Sequence, residues 1–252
     1  MRRFRVIPVL LVNNSGLYKS RKFKALQYVG DPINTVKIFN DKEVDEICIL
    51  DISATPGEKG PNFNLINSVA SEAFMPLSYG GGITSLEQVD IIFRNGVEKV
   101  VINSEFAKNP KLVTKIANKY GSQSVVVSID YKKNIFGKKT VYTHCGKNKL
   151  NSIPKDYAKM AEDFGAGEVL LNSIERDGMY QGYDLETLNI VSNNINIPVI
   201  VCGGASKIED FSDAINSGAS AVSAGSMFVF QRPHQAVLIN YPKYADISNL
   251  IK

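Results

Sequence analysis

Eight short apolar runs, each followed by an amphipathic stretch, constrain the fold of this chain more than any other feature. The runs are rich in Val and Ile and mostly unbroken, which is typical of strands buried on both faces of a parallel sheet. We predict strands at residues 5–12, 46–52, 75–79, 99–103, 125–130, 168–172, 199–202 and 221–224. Eight strands alternating with helices in 252 residues favour an α/β fold, a closed (β/α)8 TIM barrel that occupies residues 1–252 as a single domain. An open parallel sheet is the alternative fold.

Two of the intervening helices carry clear signals at both ends. The predicted helices at 85–95 and 206–217 each begin with a capping-box sequence and close at a glycine. These signals are Thr84-x-x-Glu87 with Gly96, and Ser206-x-x-Glu209 with Gly218.

The two halves of the chain resemble each other. Landmarks of the first half recur at one constant offset of 122 residues: Gly82 with Gly204, Gly96 with Gly218, and Phe106 with Phe228. A constant offset through three landmarks is difficult to obtain by chance. We therefore expect a barrel with a two-fold half-barrel repeat.

Glycine pairs follow predicted strands 3 and 7, and small polar residues follow strands 4 and 8. Glycine lets backbone amides approach a ligand closely, and a helix N-terminus attracts an anion. One pair alone would indicate only a tight turn, but two matched pairs favour two phosphate sites on opposite sides of the barrel mouth. The candidate phosphate-binding residues are Gly81, Gly82, Asn103, Ser104, Gly203, Gly204, Gly225 and Ser226. An elongated ligand with a phosphate at each end would fit this arrangement.

Carboxylates lie at or after the ends of several strands, where barrel enzymes carry their catalytic groups. Asp130 ends predicted strand 5 and is the strongest candidate for general acid or base work, because burial should raise the pKa of its carboxyl. Asp51, after strand 2, and Asp177, after strand 6, could equally cap the elements that follow them. We also place Asp177 and Gly178 among the candidate ligand-binding residues.

Four charged residues stand at the starts of strands, at the opposite end of the predicted barrel. They are Arg5, Glu46, Lys99 and Glu168. Two positive and two negative side chains could form a ring of ion pairs across the barrel floor. Taken alone, such a ring indicates ordinary stabilisation.

Composition excludes several classes of protein. With 29 basic and 25 acidic residues and no arginine-rich stripe, the chain does not suggest a nucleic-acid partner. No apolar run approaches the ~20 residues of a membrane span, and the apolar N-terminus lacks a cleavage site, so we expect a soluble, cytoplasmic protein. The three cysteines, without a CxxC pair, and the two histidines do not predict a metal site. No motif suggests an organic cofactor.

Several of these motifs, in order along nearly the whole chain, resemble the cyclase subunit of imidazole glycerol phosphate synthase. They are Gly-Asp-Pro at 30–32, Ile-Leu-Asp-Ile-Ser-Ala at 49–54, Gly-Gly-Gly-Ile at 80–83, Val-Val-Ile-Asn-Ser at 100–104, Ser-Ile-Glu-Arg-Asp-Gly at 173–178 and Gly-Gly-Ala at 203–205. The resemblance implies a half-repeated barrel whose substrate carries two phosphates. It also implies a glutaminase subunit docked at the barrel floor, which makes ammonia that crosses the barrel to the active site.

The resemblance changes the expected role of the ring. The family's ammonia gate consists of four charged residues, and those positions fall on Arg5, Glu46, Lys99 and Glu168, each of matching type. Neutral ammonia can cross a ring of paired charges that would hold back ions. The family's loop lysine falls on Lys19, in the flexible loop after strand 1, and its second catalytic aspartate falls on Asp130.

One departure from the family pattern concerns the first catalytic aspartate. That position falls on Leu11, which cannot transfer a proton, and neighbouring Asn13 and Asn14 are not replacement acids or bases. Loss of one acid or base of this kind typically costs about 10²–10⁴-fold in rate.

The sequence therefore leaves three functions open. The first is a branch of the family that works with a glutaminase-like partner and a separate sugar amidotransferase to convert an N-acetyl group into an acetamidino group in surface-polysaccharide biosynthesis. The second is a histidine-pathway cyclase, a lyase-type subunit of a glutamine amidotransferase complex, in which another group replaces the missing aspartate. The third is a non-catalytic scaffold that binds a phosphorylated metabolite, which a blocked barrel floor with no axial cavity would favour.

Overall fold

The computed structural model describes residues 4–134 and 136–248 of the chain. Its centre is a barrel of eight parallel strands, β1 to β8. They are Arg5–Asn13, Ile47–Asp51, Leu77–Gly80, Lys99–Ile102, Val125–Lys133, Glu168–Ser173, Val199–Cys202 and Ala221–Ala224.

The barrel closes because each strand pairs in parallel with the next. β8 returns to β1 with Ala221 opposite Arg5, and β5 pairs with β6 with Asp130 opposite Asn172. The predicted (β/α)8 barrel is confirmed, and the open-sheet alternative is wrong.

Helices alternate with the barrel strands around the outside. Helices α1 to α10 are Pro32–Asp41, Phe63–Ala70, Leu86–Arg94, Ser104–Lys108, Lys111–Tyr120, Pro154–Asp163, Leu185–Ser192, Glu209–Asn216, Ser226–Val229 and Tyr244–Ser248, with a 3-10 turn at Ser122–Ser124. No helix in the described part of the chain has the length and apolar character needed to cross a membrane.

The predicted capping boxes need correction. At α3 the box is formed one residue later than predicted, by Ser85 and Gln88, because the Gln88 side chain reaches back to the N-cap backbone. At α8 no box forms. There Asp210 accepts hydrogen bonds from the backbone N–H groups of Ser206 (2.7 Å) and Lys207 (3.1 Å), so a carboxylate inside the helix replaces the Ser206 cap.

Two segments that follow barrel strands fold as β-hairpins. The segment after β1, expected to be a flexible loop, is a β-hairpin of strands Gly16–Arg21 and Lys24–Gly30. A second hairpin follows β5, where Lys139–Thr143 pairs back onto its end and Asn148–Lys149 extends the sheet. Both hairpins lie at the barrel mouth.

The half-barrel repeat appears in backbone hydrogen bonds. The N–H of Gly96 binds the carbonyl of Phe93, and the N–H of Gly218 binds that of Ile215, at the same offset of 122. The bond from Phe106 N–H to Asn103 (3.2 Å) likewise recurs from Phe228 N–H to Gly225 (3.1 Å). Phe106 and Phe228 are both buried, so the matched landmarks share backbone geometry and environment.

The core has two parts. A large cluster packs the helices against the outside of the strands. A smaller cluster fills the barrel interior with Ile7, Val9, Cys48, Val101, Val126, Leu170, Ile200, Cys202 and Ala221. Cys48 and Cys202 are thus buried thiols.

Candidate functional site

A cavity of about 760 Å³ opens at the C-terminal ends of the barrel strands. Parallel strands bring their carboxyl ends to one face of the barrel, which is where barrel enzymes bind their ligands. Every residue that the sequence placed in the catalytic or ligand-binding set lines this cavity: Lys19, Gly81, Gly82, Asn103, Ser104, Asp130, Asp177, Gly178, Gly203, Gly204, Gly225 and Ser226.

The glycine-rich turns form two similar recesses. The first recess comprises Gly81, Gly82, Asn103 and Ser104; the second comprises Gly203, Gly204, Gly225 and Ser226. Because β3 and β4 lie four strands from β7 and β8 in a ring of eight, the recesses face each other across the mouth.

Backbone conformation explains the glycines in both recesses. Gly82 has φ +67° and Gly204 has φ +109°, a region that other residues rarely adopt. A Cβ at Gly204 would lie 2.2 Å from the Gly182 carbonyl oxygen. The short helices α4 and α9 that follow have no side-chain caps, so their first backbone N–H groups are available to a ligand.

Asp130 lies between the two recesses, on β5, which continues three residues beyond the predicted end at Asp130 to Lys133. Its carboxylate accepts hydrogen bonds from the side-chain amides of Asn172 (3.2 Å to Oδ1) and Asn103 (3.2 Å to Oδ2). Burial nevertheless raises the pKa of Asp130 to about 7, because desolvation outweighs the hydrogen bond from Asn172. The carboxyl can therefore both accept and return a proton near neutral pH.

Leu11 lines the same cavity and lies on the inward face of β1. It is six residues from Arg5, and side chains at even spacing along a strand share a face. With Leu50 it packs against the interior apolar cluster. The position therefore presents a hydrocarbon surface to the cavity.

Lys19 reaches the cavity from the hairpin after β1. Its ammonium group is buried and donates a hydrogen bond to the Val9 carbonyl, inside the barrel mouth. Burial lowers the pKa of Lys19 to about 8, although the charge of Asp177 opposes this shift. The side chain is thus held close to the border between its charged and neutral forms.

The Asp177 carboxylate faces the hairpin. Asp177 Oδ2 accepts hydrogen bonds from Ser20 Oγ (2.6 Å) and the Phe23 N–H (3.4 Å), and the Asp177 carbonyl accepts one from the Lys22 N–H (2.9 Å). Gly178 allows this close approach, since a Cβ there would lie 2.4 Å from the Ser20 carbonyl oxygen. The loop after β6 therefore holds the hairpin over the cavity.

Asp51 has the local role that the sequence left open. Its Oδ1 accepts hydrogen bonds from the Ser53 N–H (2.9 Å), the Ser53 hydroxyl (2.7 Å) and the Ala54 N–H (3.2 Å). These bonds fix the turn that follows β2.

The four charged residues at the opposite end of the barrel form a closed ring of ion pairs, which we call the floor ring. Arg5 contacts Glu46 at 2.6 Å and Glu168 at 2.7 Å, and Lys99 contacts the same two carboxylates at 3.0 and 3.3 Å. Burial lowers the pKa of Arg5, but attraction to Glu168 and Glu46 outweighs it and the net shift is upward. Each charge is thus neutralised by two neighbours.

The cavity at the mouth does not reach the floor ring within the described residues. Its deepest lining residues include Val9 and Val101, and none of the ring residues lines it. Between the two lies the interior apolar cluster, so the barrel axis is filled in this conformation. Over residues 4–134 and 136–248, no group of three or more His, Cys, Asp or Glu side chains is placed to hold a metal ion.

Sequence reasoning missed one polar group of the cavity, the Asn172 side chain. Asn172 was predicted only as the last residue of strand 6, although its even spacing from Glu168 indicates an inward side chain. His144 also lines the cavity, and its backbone N–H donates to Ser104 Oγ (3.0 Å). His234 is exposed.

Comparison with known proteins identifies the family. A model of the family described as histidine biosynthesis protein matches residues 5–233. The chain is 49% identical over 244 residues, 96% of each chain, to a putative imidazole glycerol phosphate synthase subunit HisF of Leptospira interrogans.

Two further relatives support the same family. The chain is 49% identical over 251 residues, 99% of each chain, to a putative imidazole glycerol phosphate synthase subunit hisF2 of Pseudomonas aeruginosa. It is 40% identical over 225 residues, 89% of each chain, to the imidazole glycerol phosphate synthase subunit HisF of Alkaliphilus metalliredigens. The chain therefore belongs to the histidine biosynthesis protein family, among the HisF-like subunits of imidazole glycerol phosphate synthase.

Proposed function

We propose that this chain is the cyclase-type subunit of an imidazole glycerol phosphate synthase complex, and that it joins ammonia to a phosphorylated ligand at the barrel mouth. The observation that carries the proposal is Asp130, a buried carboxyl with a pKa of about 7 between two glycine-lined recesses. The similarity to HisF subunits supports the same reaction class.

The two recesses are the proposed phosphate sites. Backbone N–H groups at Gly81, Gly82, Gly203 and Gly204, together with Ser104 and Ser226, would bind the phosphates at either end of the ligand. The ligand would then cross the mouth above Asp130. We assign Asp177 to holding the hairpin, because a carboxylate would repel a phosphate.

Ammonia is proposed to enter at the floor ring from a glutaminase subunit docked beneath it. The closed ring and the filled axis above it are the arrangement that the non-catalytic scaffold predicts. Passage of ammonia therefore requires Lys99 or Arg5 to move and the interior side chains to shift. Once open, a ring of paired charges would hold back ions more than a small neutral molecule.

Leu11 supports a second candidate function. A chain that retains the floor ring and both recesses but lacks the carboxylate of β1 has lost half of the family's acid and base pair. This combination favours ammonia delivery for amidation of a sugar, with a separate amidotransferase, over imidazole ring closure. The similarity to HisF subunits favours the cyclase, and the two functions make opposite predictions for Leu11.

The deciding experiment measures turnover of the family's two-phosphate substrate by the isolated chain, with ammonium chloride as nitrogen donor. Wild type, Leu11→Asp and Asp130→Asn are compared, and potassium chloride replaces ammonium chloride as the salt control. Cyclase function predicts ammonium-dependent turnover in wild type and a loss of about 10²-fold or more in Asp130→Asn.

The other outcomes separate the alternatives. Turnover gained only in Leu11→Asp would contradict the histidine-pathway cyclase and favour the sugar branch. Tight binding of the substrate with no turnover in either protein would favour a non-catalytic scaffold.

A further inference from the structure

One buried polar atom at the cavity has no partner within the protein. Among the described residues, only two buried side-chain polar atoms lack a hydrogen-bond partner, Tyr157 Oη and Asn172 Oδ1. Asn172 lines the cavity and is 8% exposed, whereas Tyr157 does not line it. An unsatisfied buried acceptor costs about 1–3 kcal/mol, so it marks a place where a donor from a ligand would be favourable.

The orientation of the Asn172 amide is fixed by its neighbour. Asn172 Nδ2 donates to Asp130 Oδ1 at 3.2 Å, and the opposite orientation would place two oxygens against each other whenever Asp130 is ionised. Asn172 Oδ1 therefore points away from Asp130. It points toward Gly203, where a Cβ would lie 2.9 Å from it, so a side chain at this position would cover the oxygen.

The position of Asn172 along β6 relates it to the floor ring. Glu168, Leu170 and Asn172 alternate along one strand and face the barrel interior, so Asn172 lies about 13 Å above Glu168 at the usual strand rise. A small molecule that passes the ring and the apolar layer at Leu170 would next meet the Asn172 side chain. In register, Asn172 lies between Asp130 on β5 and Cys202 on β7.

We propose that Asn172 Oδ1 and the Asp130 carboxylate together bind the nitrogen of ammonia as it enters the cavity from the barrel interior. This inference rests on the proposed function and specifies the site at which the nucleophile waits. Ammonia has three N–H donors and one lone pair. Two donors would be used by the amide and carboxylate oxygens, each of which has unused acceptor capacity, and the lone pair would remain free for the ligand above.

Asn103 provides a matched control. It also donates to Asp130, at 3.2 Å, but its own Oδ1 already accepts a hydrogen bond from Ser104 Oγ at 3.2 Å. Asn103→Leu and Asn172→Leu each remove one amide donor from Asp130. Only Asn172→Leu also removes the open acceptor.

The test follows the Asp130 carboxyl by NMR with ¹³C-labelled aspartate, assigned with Asp130→Asn. The pH titration of wild type, Asn172→Leu and Asn103→Leu is recorded in ammonium chloride and in potassium chloride at equal ionic strength. We expect a saturable, ammonium-specific shift of the Asp130 signal in wild type and in Asn103→Leu, and its loss in Asn172→Leu. Absence of the shift in wild type, or its persistence in Asn172→Leu, would overturn the proposal.

Kinetics separate this proposal from the function on which it rests. Asn172→Leu is added to wild type or to Leu11→Asp, whichever turns over the substrate. We expect it to raise the KM for ammonium at least tenfold and to change the KM for the phosphorylated substrate by less than threefold. The reverse pattern would mean that Asn172 Oδ1 binds the substrate. Turnover without any ammonium-specific shift would overturn the ammonia site and leave the cyclase function intact. A shift without turnover would contradict the cyclase function and leave the ammonia site intact.

Discussion

At the scale of single residues, burial decides the chemistry of the cavity. Asp130 and Lys19 are both desolvated, and this raises the pKa of the acid to about 7 and lowers that of the base to about 8. Desolvation thus shifts the pKa values of both groups toward neutral pH. Asp51 also lines the cavity, and its Oδ1 accepts the hydrogen bonds that fix the turn after β2.

Burial of Asp130 predicts a pH-dependent cost to stability. The unfolded chain releases this proton near its ordinary pKa of 3.8, whereas the folded protein retains it until about pH 7. Stability is therefore lost as the pH rises through this window and stays low above it. We expect the free energy of unfolding of Asp130→Asn, measured by urea unfolding, to rise by about 1–3 kcal/mol relative to that of wild type as the pH increases from 5 to 8.

Asp90→Asn is the control for this prediction. Asp90 is a half-buried surface carboxyl whose pKa is lowered by hydrogen bonds from Lys119 and Tyr120. Asp90→Asn should give no gain in the free energy of unfolding relative to wild type as the pH rises. A stability difference for Asp130→Asn that stays constant from pH 5 to pH 8 would contradict the assignment.

The floor ring predicts a contrast between two lysines. Lys99 contacts two carboxylates whose side chains are 4% and 12% exposed, whereas Lys119 pairs with Asp90 at the surface. Removing one member of a buried pair leaves uncompensated charge. We expect Lys99→Met to lower the free energy of unfolding by about 2 kcal/mol or more, and Lys119→Met by about 0–1 kcal/mol. Equal effects in urea unfolding would mean that the ring is not a buried network.

At the scale of elements, the hairpin Gly16–Gly30 depends on the loop after β6. Charge-assisted bonds such as that from Ser20 Oγ to Asp177 contribute about 1.5–3 kcal/mol. We expect Asp177→Ala to open the hairpin, so that Lys19 reacts about 10-fold faster with an amine-acylating reagent and amides of residues 17–25 exchange faster.

Gly178→Ala gives an independent check on the hairpin. The added Cβ would lie 2.4 Å from the Ser20 carbonyl oxygen, so the substitution should displace the hairpin and expose Lys19 without removing a charge. Unchanged Lys19 labelling in both variants would show that these contacts do not hold the hairpin closed.

Strand periodicity predicted the barrel elements closely, and the differences have local causes. Predicted strand 3 began at Met75, but the structure begins it at Leu77, because Pro76 has no N–H for the ladder. The hairpin after β1 was missed because its turn is formed by Lys22 and Phe23 and not by the usual Asn-Gly pair. Both residues have positive φ, +54° and +60°.

The site shows a similar boundary between what sequence can and cannot predict. Glycines and polar residues at strand ends located the cavity, because strand direction alone brings them together. The unsatisfied Asn172 oxygen could not be predicted, since it depends on which neighbour takes the amide nitrogen. Likewise, the Asp177 carboxylate is directed by a hairpin that the sequence pattern did not reveal.

At the scale of the whole molecule, the barrel separates two ends of different chemical character. The floor carries a closed ring of paired charges, and the mouth carries the ligand cavity with Asp130. The interior apolar cluster lies between them. In the proposed function, ammonia made beneath the floor reaches Asp130 through this interior without mixing with solvent.

An isotope-competition experiment measures whether ammonia takes this route. The chain, as wild type or as Leu11→Asp if only that variant turns over, is assembled with its proposed glutaminase partner. It is supplied with the two-phosphate substrate, amide-¹⁵N glutamine and an excess of unlabelled ammonium chloride, and the ¹⁵N content of the product is measured by mass spectrometry. We expect the product to carry ¹⁵N far above its proportion in the bulk ammonium. A ¹⁵N content diluted to that proportion would contradict transfer through the barrel.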